Sequence, residues 1–221
     1  MQIMRKLSLT VVSTVCIAFA TAGAAGAETL TFDELGSPTP VDGLTAKGVT
    51  FDFKIDGVDS SNATYNSPPP PGLPPNLFVN LQAPVLDGNA RGILSLDFAQ
   101  PISTLQFAVG VESFAPVASA LSVELFDTGS NSLGITPVNT SPVAILSEGL
   151  FSYDGVAVTR AVLDFDESKF GLNPALDPRF SVDNLTYTTA VPEPSSLVGL
   201  LALGALGVRG LKWATSRPHA H

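Results

Sequence analysis

Val49-Thr50-Phe51-Asp52-Phe53-Lys54-Ile55 alternates apolar and polar side chains without a break. A run of that period gathers Val49, Phe51, Phe53 and Ile55 on one face only as a β-strand. Leu121-Ser122-Val123-Glu124-Leu125-Phe126 repeats the device. From Glu28 to Ala190 no stretch carries a sustained 3.6-residue stripe, while Gly, Pro, Asn and Asp recur as punctuation. The pattern predicts strands at Leu30 to Asp33, Val49 to Ile55, Leu77 to Leu81, Ile93 to Phe98, Thr104 to Glu112, Leu121 to Asp127, Leu150 to Tyr153, Val156 to Phe165 and Phe180 to Thr188. Many short strands with one wet face imply an all-β body, an antiparallel β-sandwich of jelly-roll type. Residues 28–190 have the length of a single domain.

Ser67-Pro68-Pro69-Pro70-Pro71-Gly72-Leu73-Pro74-Pro75 stands apart, because a run of prolines cannot donate to a ladder. It reads as an extended polyproline II connection on the surface, with docking on an aromatic groove as the alternative. No internal repeat has a fixed period, and Val191 to Ser196 is the one linker.

Charge narrows the partners. Between Glu28 and Glu193 lie all twenty acidic residues but only six basic ones, a net charge of −14. That field repels phosphate backbones, which argues against nucleic acid, and leaves divalent cations, neutral sugars or cationic polymers as partners. A merely soluble acidic surface explains the same count.

Chemistry is sparse. Both histidines, His219 and His221, lie beyond the body, and the single cysteine, Cys16, precedes it. The body therefore holds no Ser-His-Asp or Cys-His nucleophilic site and no histidine-based zinc site. A pair of carboxylates working as general acid and base, as in glycoside hydrolases, is what remains, and Asp164 and Asp166, with Glu167 beside them, share a strand face. Such pairs occur in any acidic protein, so no catalytic residue is assigned and the body is expected not to be an enzyme.

The two ends read as addresses. Arg5 and Lys6 precede an apolar stretch from Leu7 to Ala20, and Ala25-Gly26-Ala27 presents small residues where signal peptidase reads. This predicts a signal helix over residues 1–27, cleaved before Glu28. At the other end Val191-Pro192-Glu193-Pro194-Ser195-Ser196 leads into an apolar run from Leu197 to Val208, followed by Arg209, Lys212 and Arg217. Twelve residues at a rise of about 1.5 Å span less than a bilayer core. Small serines at one end, snorkelling basic stems and Trp213 at the other nevertheless suit a short transmembrane helix with its tail in the cytoplasm.

That arrangement of Pro-Glu-Pro element, apolar span and basic stop resembles the C-terminal tail of the bacterial PEP-CTERM family. The resemblance implies recognition by the exosortase, a membrane transpeptidase-like processing enzyme, transient membrane anchorage of the precursor, and release of the body to the cell surface or outside. Val191, Pro192, Glu193 and Pro194 would be the sorting motif and Arg209, Lys212 and Arg217 the membrane stop. The positive charges are spread out here, where family members commonly end in a tight arginine cluster.

The ends of the body carry a second resemblance. Thr29-Leu30-Thr31-Phe32-Asp33-Glu34-Leu35 and Phe180-Ser181-Val182-Asp183-Asn184-Leu185-Thr186-Tyr187 are similar to the first and last strands of jelly-roll carbohydrate-binding modules. In those modules acidic residues at such positions help hold a structural calcium ion, which implies Asp33, Glu34 and Asp183 as metal ligands, completed by carbonyls and water. Exposed turn or edge positions are the alternative for all three. With no Trp in the body, Tyr65 beside the proline run is the candidate platform for stacking a sugar. The expectation is thus a secreted, exosortase-processed structural protein of the cell surface or extracellular matrix, associated with exopolysaccharide. The alternatives are a lectin-like carbohydrate-binding module with structural calcium and a glycoside hydrolase.

Overall fold

In the computed structural model, which describes residues 26–68, 78–143, 146–170 and 177–190, the chain forms twelve antiparallel strands. They are β1 (Ala27–Leu30), β2 (Thr39–Pro40), β3 (Thr45–Ala46), β4 (Val49–Ile55), β5 (Val58–Asp59), β6 (Ala63–Ser67), β7 (Val85–Asn89), β8 (Gly92–Val111), β9 (Val117–Asp127), β10 (Ser132–Val143), β11 (Leu146–Phe165) and β12 (Arg179–Thr189). A 3-10 turn at Glu167–Lys169 follows β11. Among the described residues no helix is long and apolar enough to cross a membrane. The expected signal helix and C-terminal membrane helix lie outside the described residues.

Two strands of twenty residues organise the rest. The first half of β8 pairs with β4 and the second half with β12. β11 pairs with β8 along both halves and with β9 along its second half only. The ladder breaks between Phe98 and Ile102 in β8, where Pro101 has no N–H to give, and between Asp154 and Val158 in β11. At these points both strands turn from one layer into the other, the way corners form in packed sheets. Each was expected as two strands, because Ala99-Gln100-Pro101 and Asp154-Gly155 read as breaks, and each is one bent strand.

One layer is β4, the first half of β8, the second half of β11, β9 and β10, with β3 and β5 as short hairpin partners of β4. The other is the first half of β11, the second half of β8, and β12, whose far edge takes β7 at Arg179–Val182 and β1 at Leu185–Thr188. β6 and β2 extend β7. Side chains meet between stretches that share no ladder: the rings of Phe165 and Phe180 stack with centroids 3.9 Å apart, Phe53 lies 6.0 Å from Phe180, and Phe98, in the first half of β8, lies 5.4 Å from Tyr187. The body is therefore a β-sandwich whose two inner faces form one core.

The alternation of β4 holds as read, with Val49, Phe51 and Phe53 fully buried. Its flanking turns, Lys47-Gly48 and Asp56-Gly57, have positive φ at both residues, the two-residue geometry that matches strand twist. Other expectations fail. The first strand is Ala27–Leu30 and does not run to Asp33, because Phe32 has φ +60° and leaves the ladder to enter the core. Residues 78–81 of the strand expected at Leu77 to Leu81 form a loop. The short β2, β3 and β5 and the longer β6, β7 and β10 were not expected; β10 carries Gly134, Pro137 and Pro142, which argue against a strand. It sits at the sheet edge, where proline is tolerated.

Candidate functional site

The cross-strand register fixes what lies on the outer face of the second layer. Glu148, Gly110 and Ser181 form one row, Leu150, Ala108 and Asp183 the next, and Ser152, Gln106 and Thr186 a third. Directly opposed residues project to the same side. The register between β12 and β8 slips at Asn184, whose φ is +53°. One extra residue there keeps Leu185 and Tyr187 in the core while Asp183 stays outward.

Across these rows lies the loop of residues 78–84. Glu148 accepts the backbone N–H groups of Val79, at 3.2 Å, and Asn80, at 2.7 Å. Asp183 accepts the N–H of Gln82 at 2.6 Å and of Asn184 at 2.7 Å, and Asn184 donates its side-chain amide to the Asn80 carbonyl at 3.0 Å. Leu81 seats over Gly110, where an added Cβ would come within 2.5 Å of Leu81 Cδ1. Small outward residues at Ala108 and Gly110 thus let the loop lie on the sheet. Two buried carboxylates from the strands on either side strap it down.

Beside the strap is a groove of about 470 Å³. Gln106, Ala108, Leu150, Ser152 and Thr186 make its floor, and Val79, Asn80, Gln82 and Asn184 its wall. A smaller cavity of about 250 Å³ lies on the Leu81 side of the strap, lined by Phe78, Val85 and Leu146 with Asp87, Glu112 and Arg179.

The residues singled out in the sequence have other surroundings. Tyr65 is fully buried on β6, its ring centroid 4.9 Å from that of Phe32 and 5.9 Å from that of Phe51. Its hydroxyl donates to Glu34. It cannot offer a face to a sugar, and the stacking role expected of it is withdrawn. Burial and the Glu34 carboxylate push its hydroxyl pKa up. Glu34 also pairs with Lys47, Nζ to Oε1 2.9 Å, and accepts the N–H of Thr31 at 3.0 Å. Burial alone would raise the Glu34 pKa, but the Tyr65 hydroxyl, the Lys47 ammonium and the Thr31 amide outweigh it and hold it at about 2. Asp33 accepts the Thr31 hydroxyl at 2.5 Å.

Asp183 behaves oppositely. Burial, opposed by the Gln82 and Asn184 amides and assisted by the negative charges of Asp33 and Glu34, raises its carboxyl to about 6. Lys47 already supplies the positive charge beside Glu34, so a cation there would have to displace it. The carboxylates whose oxygens converge within 4.8 Å among the described residues are Asp42, Asp52 and Asp59, where Lys54 bridges Asp52 and Asp59.

Asp164 and Asp166 line a polar recess with Ser119, Ser122, Glu167 and Lys169. Burial and the charges of Asp166 and Glu167 push Asp164 up, whereas Lys169 and Ser168 hold Asp166 down. Asp166 is committed to Lys169 at 2.8 Å. Val191, Pro192, Glu193, Pro194, Arg209, Lys212 and Arg217 lie outside the described residues.

Compared with known proteins, the chain carries a PEP-CTERM protein-sorting motif over residues 190–214. It begins where the last strand of the body ends, at Thr189. None of the curated proteins compared matches the chain. Solved structures that match include a family 29 carbohydrate-binding module, 11% identical, with 79% of this chain and 99% of that one covered and a TM-score of 0.37. The N-terminal CBM22-1-CBM22-2 tandem domain of Paenibacillus barcinonensis Xyn10C matches at 15% identity, 80% and 49% coverage and a TM-score of 0.33. Likeness at that level fixes neither strand connectivity nor ligand.

Proposed function

We propose that this chain is an exported precursor, processed by an exosortase at its C-terminal motif, whose β-sandwich then serves without catalysis at the cell surface or in a polysaccharide-containing matrix. The observation that carries the reading is the sorting motif over residues 190–214, placed directly after the final strand. A body free of His and Cys, and an Asp166 already paired with Lys169, support a non-catalytic role. Expression in a host with and without an exosortase tests it. The wild type is expected to be shortened at its C-terminus only when the enzyme is present, and Glu193→Ala to remain the full-length precursor. Equal processing in both hosts overturns the reading.

A second reading, a carbohydrate-binding module steadied by calcium, is supported by the neutral groove beside the strap and by Asp183, a buried carboxylate that makes no ion pair among the described residues. Asp33 and Asp183 would contribute oxygens to the ion, and Glu34 would join them only by leaving Lys47. Thermal melting with calcium and with chelator tests this half. A ligand bound only by the folded state at a hundred times its Kd adds about 2.7 kcal/mol, and absence of any shift removes the ion.

A further inference from the structure

We propose that the groove between the strap and the outer face of β11, β8 and β12 binds a neutral, hydroxyl-rich polymer, one chain of an uncharged polysaccharide. The proposal rests on the matrix reading above and gives it a site.

The lining carries no charge among the described residues, in a body of residues 28–190 with a net charge of −13. Asn80, Gln82, Gln106 and Asn184 bring four side-chain amides to it, and Ser152 and Thr186 two hydroxyls. The side chains of Asn80, Gln82, Gln106 and Ser152 make no hydrogen bond among the described residues, and Asn184 uses only its Nδ2. An amide offers a donor and an acceptor side by side, which pairs with two neighbouring hydroxyls of a sugar ring. Leu150, 65% exposed, and Val79, 72% exposed, give apolar surface on the floor and the wall for the C–H faces of such rings.

This composition disfavours the other occupants. A phosphodiester or acidic polymer needs lysine or arginine, and a cationic polymer needs carboxylates. A protein partner is held by buried aromatic or arginine anchors in a desolvated patch, whereas Phe107 and Phe151 turn their rings into the core. The volume of about 470 Å³ falls within the size range of small-ligand pockets. The wall is pre-formed: Glu148 and Asp183 hold the strap by its backbone, so no loop has to be ordered on binding.

The test is affinity electrophoresis of the full-length chain in a detergent without a sugar headgroup. The gels contain cellulose ether, xylan, galactomannan, dextran or starch, with alginate and chitosan as charged controls. Retardation by at least one neutral polymer, unaffected by high salt, is expected. Gln106→Ala and Ser152→Trp, both outward on the floor, should weaken it roughly tenfold or more, about 1.4 kcal/mol, with unchanged melting temperatures. Should Gln106→Ala melt early, Ser152→Trp, which blocks the groove from its exposed rim, decides. Retardation that survives a folded Ser152→Trp leaves polysaccharide association standing and overturns the groove as its site. Retardation by no polymer, or by the charged ones only, overturns the proposal and the matrix association together. Cleavage at the sorting motif is read separately and is untouched by either result.

Discussion

Asp183 on β12 accepts the backbone N–H of Gln82, 101 positions earlier in the chain, at 2.6 Å, and Glu148 on β11 does the same for the other end of that loop. A buried N–H that loses its acceptor costs about 1–3 kcal/mol. Asp183→Ala is therefore expected to lower stability by an amount in that range and to release the strap locally. Hydrogen exchange should show the amides of Gln82 and Asn184 losing protection while those of β4 keep theirs. Uniform loss of protection across the sandwich would contradict a local role.

The same residue sets a pH dependence. Its folded pKa of about 6 lies above the ordinary 3.8, so the folded state holds the proton more tightly than the unfolded chain. Its stabilisation is complete below about 3.8 and lost as pH rises through about 6, a fall of up to about 3 kcal/mol. Glu34 works the other way: lowered from 4.5 to about 2, it stabilises above 4.5 and loses that contribution as pH falls toward 2. Denaturant melts across pH 3 to 7 should show the 4-to-6 slope vanish in Asp183→Asn, which keeps one acceptor oxygen. The acid-side loss should shrink in Glu34→Gln.

Gly110 and Leu81 make a steric pair. An alanine Cβ at position 110 would come within 2.5 Å of Leu81 Cδ1, closer than any tolerated contact. Gly110→Ala should cost about 1–3 kcal/mol through overpacking, and the double variant with Leu81→Ala should recover part of it. Simple additivity in that double-mutant cycle would rule out the clash as the cause.

Tyr65→Phe keeps the ring between Phe32 and Phe51 and removes only the hydroxyl that Glu34 accepts. A loss of about 1.5–3 kcal/mol is expected, the range for a hydrogen bond to a charged group. Retention on a neutral polysaccharide should not change, because the residue is buried in the core. Weaker retention at an unchanged melting temperature would restore a contact with ligand.

How far the sequence reached follows from which signals are local. Period-two alternation is local, and it located β4 and β12 nearly to their ends and β9 from Leu121 onward, short of its start at Val117. Tyr65 misled because it follows Ala63 at strand spacing yet stands beside the prolines at 68–71. Ala63-Thr64-Tyr65 is a buried strand, and the proline run begins only after it. The strap was not legible, because its carboxylates lie 68 and 101 positions from the amides they hold. The one trace it leaves is a pair of small residues, Ala108 and Gly110, at successive outward positions of β8. A polar outer face does not require small residues there, but a loop lying on it does. Asp183 was singled out by the resemblance of the closing strand, whereas its burial depends on that loop.

Thr140, on the edge strand β10 and 3% exposed, has a hydroxyl oxygen buried with no hydrogen-bond partner among the described residues. A hydroxyl that loses its water on folding with no partner among the described residues costs about 1–3 kcal/mol. Valine has nearly the same shape and puts a methyl where the oxygen stands, beside the β9 residue Val117 that opposes it. Thr140→Val is accordingly expected to raise stability by about 1 kcal/mol, the β-branch preserving strand preference. Because β10 contributes nothing to the lining of the groove, this variant should melt later yet bind neutral polysaccharide as the wild type does. A drop in stability would mean that the hydroxyl has a partner after all, and an ordered water bridging it to β9 would then be the first place to look.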